Sequence, residues 1–335
     1  MSRKNTIFTP HLSRRAALTG IAATAVFGVV ASAIAADPGA APAAPSDYPM
    51  ALGRPHTDYV YMQLGPGRVL GETNSQPGAW AGTASYDAKG TRATSGIFRY
   101  DAGWNFPKAH YIDSDQELFV LDGVLSIDGV DYGAGSYCYL PAGKHHDLME
   151  SKKGATVLNF YEGQHIAHYD AAPAGMYNPA KLVEKIDTAK TKWTKGTADD
   201  IAAWGKSAQR KTLRVDKKTG ESTWLLKVAA DPSDVKRKLA THATVEEIFI
   251  IEGSIASPLG VMNEGAYAWR VPGTEVGPFG TKTGFVMLVR SKGGAQKTTW
   301  SKDAKPVVWD APYKPNLDKG QQAWAFKDLD KAKRW

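Results

Sequence analysis

Shifted by 130 residues, the chain falls onto itself: Gln116-Glu117-Leu118-Phe119-Val120-Leu121-Asp122-Gly123 aligns without a gap on Glu246-Glu247-Ile248-Phe249-Ile250-Ile251-Glu252-Gly253. The register holds for almost 40 residues and carries Gly135 onto Gly265, Tyr137 onto Tyr267, Gly143 onto Gly273 and Gly154 onto Gly284. A single offset kept over that length, with glycines at the same places, marks a tandem duplication. Whatever one copy folds into, the other folds into as well.

Each copy reads as β structure. "ELFVLDGVLSI", "GSYCYLPAG" and "GATVLNFY" in the first, with "EIFIIEGSI", "GAYAWRVPG" and "GFVMLVRS" in the second, are short runs rich in β-branched and aromatic residues, separated by glycine turns. They carry no helical period. A helix is expected only between the copies, in "NPAKLVEKIDTAKTKW" from Asn178, which opens with Asn-Pro in capping order. The expected organisation is all-β: a first barrel over residues 49–177, a partly helical linker over 178–206, a second barrel over 207–300, and a tail over 301–335 that packs back onto the barrels.

The amino terminus belongs to neither copy. Residues 1–36 combine the pair Arg14-Arg15, an apolar run from Ala16 to Ala33 and a small-residue Ala33-Ile34-Ala35 site. They resemble a twin-arginine (Tat) export signal; the apolar run is too short for a membrane span. Residues 37–48, rich in proline and alanine, read as a tether. A periplasmic or secreted protein follows, handled by the Tat machinery and not membrane-embedded once mature. The signal holds Arg3, Lys4, Arg14 and Arg15 and no acid, which leaves 37 basic against 34 acidic residues, too small an excess for a nucleic-acid partner. The only cysteine, Cys138, permits no intramolecular disulfide and reads as an inert core thiol, so packing must supply the stability.

Alternate strand residues share a face, so a small barrel gathers ligands at spaced positions. In the first copy Gly135 is followed after five residues by Pro141-Ala142-Gly143-Lys144-His145-His146. This pattern, with the strand before it, resembles the cupin superfamily, whose metal site joins His-x-His-x-x-x-Glu to Gly-x5-Pro-x-Gly-x-x-His. The resemblance implies two tandem cupin jelly rolls. It places His146 at the last ligand position, His110 at the first, Ile112 at the second and Gln116 at the glutamate. In the second copy His242 and Glu246 match the second histidine and the glutamate, while Ala240 and Val276 stand for the other two.

Neither copy has four ligands. His110, Gln116 and His146 are the expected ligands of one divalent ion, Fe, Zn, Mn, Ni or Cu, since imidazole suits all of these and an amide oxygen ligates weakly. Two hydrogen-bonded loop histidines are the alternative. His242 and Glu246 form a weaker candidate that is also readable as a polar pair. Glu117, His145 and Tyr139 are the candidate acid/base groups, although strand alternation points Glu117 away from Gln116. Trp104 is placed near the pocket.

"QELFVLDG" and "YGAGSYCYLPAGKHH" resemble the cupin of ChrR-type anti-sigma factors, and exported bicupins look similar over residues 90–295. The ChrR type implies zinc and a helical sigma-binding domain, for which this chain has no counterpart. Two functions stay open: a metal-dependent, oxygenase-like enzyme acting on a small molecule, or a binding or sensing bicupin whose metal sites have degenerated. With the barrels packed face to face, the chain would imitate the dimer of a single-barrel ancestor and stay monomeric or form a homodimer.

Overall fold

The computed structural model describes residues 50–233 and 235–326, so the expected export signal and tether lie outside the described residues. Two units are built on the aligned segments. Gln116–Ile127 is the spine of the first, antiparallel to Ser136–Leu140 on one side and to Ala155–Tyr161 on the other, and the sheet runs on through Thr94–Tyr100 and Trp80–Tyr86. Val245–Gly253 is the spine of the second, between Ala266–Arg270 and Phe285–Lys292, and that sheet continues through Ser222–Val228 to Gln209–Val215. A smaller sheet of Glu275–Val276, Lys236–His242 and Thr298–Pro306 faces it. The fold is all-β, two cupin-type barrels in tandem. No helix among the described residues is long and apolar enough to cross a membrane.

The aligned glycines have a steric cause. Gly123 and Gly253 have φ of +71° and +75°, and a Cβ would lie 2.1 and 2.0 Å from the carbonyl oxygens of Gly154 and Gly284. Only glycine meets both demands.

Period-two alternation divides the buried side chains into three cores. Leu118, Val120, Cys138, Leu140 and Val157 fill the first barrel, and Trp224, Ile248, Ile250, Ala268 and Met287 line the second. The intervening residues, Phe119, Leu121, Tyr137, Tyr139 and Phe160, meet Phe249, Ile251, Tyr267, Trp269 and Leu288 in a shared core. The spines are therefore buried on both faces, and the barrels pack face to face. Each phenylalanine fully buried there contributes on the order of 1.5–3 kcal/mol.

Two expectations change. The segment from Asn178 is not a long helix: Asn178 caps a single 3-10 turn, Pro179–Lys181, and Val183–Asp187 then pairs with Ser136–Leu140. The β-branched Val183 and Ile186 gain more by covering the shared core than a short helix would offer. The helix of this region is Ala198–Trp204, opened by a Thr197/Asp200 capping box. Finally, the barrels exchange chain: Thr57–Tyr61, expected in the first, pairs with Ala266–Arg270 of the second, at the edge that Val183–Asp187 occupies in the first. The tail closes over this crossing, where Gln321 bonds the Thr57 hydroxyl and the Ala84 carbonyl.

Candidate functional site

In the first barrel the two expected histidine ligands come together. His110 and His146 exchange both backbone hydrogen bonds, at 2.9 and 2.8 Å, and their rings lie 5.7 Å apart, centre to centre. Both are buried, at 1% and 4% exposure. His110 Nδ1 donates to the Lys108 carbonyl at 2.9 Å, and His146 Nδ1 contacts Asp128 Oδ2 at 3.1 Å. A carbonyl only accepts, so His110 Nδ1 carries the proton and Nε2 presents its lone pair; the Asp128 carboxylate sets the same tautomer on His146. Burial pushes both imidazole pKa values down, with Asp128 pulling His146 the other way. Asp128 is itself anchored by the backbone N–H groups of Asp147 and Leu148. This is the outer-shell arrangement that holds metal-ligating histidines in other proteins.

Gln116 points into the same barrel. Its Nε2 donates to Asn159 Oδ1 at 2.7 Å and to the Tyr161 hydroxyl at 3.1 Å, inside a network that continues through Tyr100 to Gln76. The network consumes the amide's donors, and Oε1 accepts no hydrogen bond among the described residues. Ile112, at the remaining ligand position, is a buried core residue. Among the described residues no three His, Cys, Asp or Glu side chains converge on one point. The donor set that fits a metal is thus two imidazole Nε2 atoms and one amide oxygen, enough for an ion that keeps open positions and too few for a closed structural site.

The second barrel is arranged differently. His242 Nε2 lies 3.4 Å from Glu246 Oε1, and Glu246 Oε2 accepts from Arg270 Nη1 at 2.8 Å. Arg270 Nε and Nη2 donate to Asp58 at 2.9 and 3.2 Å. Burial alone would raise the Glu246 pKa, but His242 and Arg270 outweigh it and hold it below the ordinary value. A guanidinium beside the carboxylate occupies the place of a cation, so the residues here do not fit a metal, and the weaker metal expectation for His242 and Glu246 is replaced by an ion-paired cluster. Above it lies a cavity of about 60 Å³ whose walls include Trp204, Trp224, Ile248, Met287 and Phe279.

The three candidate acid/base groups are elsewhere. Glu117, next to inward-facing Gln116, faces the other barrel, where it binds Arg290 Nε at 2.8 Å, the Tyr137 hydroxyl at 2.7 Å and the Thr223 hydroxyl. Glu247, its counterpart, takes Arg290 Nη1, the Tyr267 hydroxyl at 2.7 Å and Ser95. One arginine thus closes a pseudo-two-fold pair of carboxylates, each 1% exposed. Tyr139 also belongs to the shared core, its hydroxyl donated to Asp115 at 2.6 Å and its ring under Arg214. His145 is exposed at 47% beside Asp147. For Glu117 and Tyr139 the cause is the period of two: strand neighbours of an inward residue cannot face the same interior, whereas His145 lies on the loop after Ser136–Leu140. Trp104 packs on Tyr100 and donates to the Pro77 carbonyl.

The family model for DUF4437, a domain of unknown function, matches residues 68–298. The chain belongs to the DUF4437 family. No curated protein matches the sequence. Among solved structures, a Nostoc punctiforme protein described as a candidate dioxygenase aligns with a TM-score of 0.63 at 17% identity, covering 78% of this chain and 93% of its own. The oxalate decarboxylase of Lactobacillus farciminis, solved with formate, aligns at 0.47 and 11% identity over 72% of this chain and 88% of its own. The Bacillus subtilis oxalate decarboxylase aligns at 0.46 and 12% over 72% and 79%. The first of these likenesses supports the bicupin fold and nothing finer.

Sequence reasoning on this DUF4437 chain missed Asp128, which reads only as the first residue of an Asp-Gly turn, and Arg270. Arg270 was findable. Shifted by 130 residues it falls on Leu140, an inward core position, and a charge at an inward strand position needs a partner or a ligand.

Proposed function

We propose that this bicupin binds a divalent metal at the mouth of its first barrel, through His110 Nε2 and His146 Nε2 with the Gln116 amide oxygen as a weak third donor. The observation that carries the reading is the pairing of two buried imidazoles whose Nδ1 atoms are both committed to oxygen partners, which leaves both Nε2 lone pairs to ligate. An ion held there would act as a Lewis acid toward a small molecule entering its open positions. The chain's own part is to fix the two tautomers, keep the apolar Ile112 wall against the site and satisfy the amide donors of Gln116. Oxygenase-like chemistry would have to run without Glu117, Tyr139 or His145 as acid or base, since none of them reaches the barrel interior. Elemental analysis of untagged protein tests the reading: near-stoichiometric Fe, Zn, Mn, Ni or Cu, lost in His146→Ala with the melting transition retained, is expected. Metal absent from both, or equal in both, overturns it.

We also infer export by the twin-arginine route, supported by Arg14-Arg15 and the small-residue site before Ala36. Amino-terminal sequencing of protein from the periplasmic fraction should begin after Ala35 or Ala36; retention in the cytoplasm with an intact start would refute it.

A further inference from the structure

The cavity of the second barrel has the chemistry of a binding site that works without a metal. Its floor carries Glu246, Arg270 and His242, with Asp58 behind Arg270; its walls are mostly apolar or aromatic, with Trp204, Trp224 and Met287 among them, and also carry Asp199, Asp200 and Lys238. Both oxygens of Glu246 are not equally served. Oε2 has a charged partner at 2.8 Å, whereas Oε1 has only His242 Nε2 and Gln296 Nε2, each at 3.4 Å. Charge-assisted hydrogen bonds of this kind normally run about 2.7–2.9 Å. Oε1 is thus a buried carboxylate oxygen short of one close donor. Trp224, in the wall, adds a buried indole N–H with no acceptor.

The charges decide what supplies that donor. Arg270 already answers two carboxylates, so an anion drawn to Lys238 would still sit among Glu246, Asp199 and the Arg210-paired Asp200. A cation would be drawn to Glu246 but must sit beside Arg270 and Lys238. A neutral molecule meets neither penalty. At roughly 10–15 Å³ for one water, the cavity admits about four to six waters or an organic molecule of that size.

We propose that the second barrel binds a small neutral alcohol, or another hydroxylated molecule of similar size, with its O–H donated to Glu246 Oε1 and its carbon frame against the aromatic walls. The site is independent of the proposed metal centre.

Ligand-observed NMR titration of the full mature chain with cyclopentanol, cyclopentanone, acetate and butylammonium tests this. Cyclopentanol should bind, and cyclopentanone, which accepts but cannot donate, should bind roughly ten-fold or more weakly, the worth of a hydrogen bond to a charged group. Acetate and butylammonium should not compete. Glu246→Gln should shrink the alcohol-over-ketone ratio toward one, and Thr298→Trp, at a half-buried lining position, should block both ligands while keeping the melting transition. His146→Ala should leave alcohol binding unchanged, which separates this site's failure from that of the metal reading. Preference for acetate or butylammonium, equal affinity for alcohol and ketone, or a ratio unmoved in Glu246→Gln overturns the proposal.

Discussion

Arg290→Met should be the most damaging single change outside the barrel interiors. Arg290 is 1% exposed and gives Nε to Glu117 at 2.8 Å, Nη1 to Glu247 and Nη2 to Glu162, with its Cζ 4.3 Å from the centre of the Phe160 ring. Methionine keeps the contact with Phe160 and removes the charge. Glu117 then retains the hydroxyls of Tyr137 and Thr223, and Glu247 retains Arg54 at 3.7 Å. Stripping the partner from a buried ion pair costs about 3–5 kcal/mol, counted once here because both carboxylates keep their other donors. At roughly 2–4 °C per kcal/mol for a large domain, the melting temperature should fall by about 6–20 °C in calorimetry at pH 7. The pH dependence gives a sharper test. Burial alone would raise the Glu117 pKa, but Arg290 first, then Thr223, Arg214 and Tyr137, hold it below the ordinary value. In the native protein its contribution is therefore present above the unfolded value of about 4.3 and lost as pH falls through the lower folded value. In the variant burial wins, the folded value rises above the unfolded one, and the penalty appears only as pH climbs through that range. The stability gap should therefore narrow from pH 7 to about pH 4. The Glu117→Gln/Glu247→Gln/Arg290→Met triple variant should recover most of the loss. A deficit below about 1 kcal/mol, or a gap independent of pH, would refute the account of the cluster.

Three further outcomes follow from the same geometry. Tyr137→Phe and Tyr267→Phe each delete a hydroxyl that donates at 2.7 Å to a buried carboxylate, and each should cost about 1.5–3 kcal/mol in denaturant unfolding; markedly unequal losses would contradict the pseudo-two-fold reading. Asp128→Asn keeps an oxygen for the Asp147 and Leu148 N–H groups but no longer sets the His146 tautomer, so competition with a chelator should show metal affinity falling roughly 10–100-fold. Asp200→Ala removes both the capping box and a two-bond ion pair with Arg210, and hydrogen exchange should quicken across Ala198–Trp204 with about 1–2 kcal/mol lost; unchanged exchange there would count against the cap.

The duplication and the strand alternation made the fold legible, because both are one-dimensional signals: a fixed offset and a period of two. The site was legible only as far as those signals reach. The repeat register brought His110 and His146 to one barrel mouth, and alternation already set Glu117 apart from Gln116. What stayed hidden depends on contacts across the chain. Asp128 meets His146 only because an Asp-Gly turn folds back on the Pro-x-Gly loop. Asp58 reaches Arg270 only because Thr57–Tyr61 crosses to the second barrel, more than 200 residues away in sequence. The helical reading from Asn178 failed for a related reason: its capping signal is local and real, but a vacant sheet edge next to Ser136–Leu140 outweighed it.

The two copies have diverged less on one face of each strand than on the other. Outward positions mostly keep the same residue, as in Glu117 and Glu247, Phe119 and Phe249, Tyr137 and Tyr267, or a similar one, as in Leu121 and Ile251, Tyr139 and Trp269. Inward positions differ: Gln116 against Glu246, Cys138 against Ala268, Leu140 against Arg270. The packing explains the split. An outward residue of one barrel meets its own counterpart across a pseudo-two-fold axis, so a change on one side must be accommodated by the same face of the other. Phe160 and Arg290, also paired by the offset, show the form such a change takes: they stack, and the arginine answers the carboxylates of both copies at once. An inward residue answers only to its own barrel. The interiors were therefore free to separate, one into a histidine pair over an amide network, the other into an ion-paired floor beneath a largely apolar chamber, while the shared core held the barrels in register.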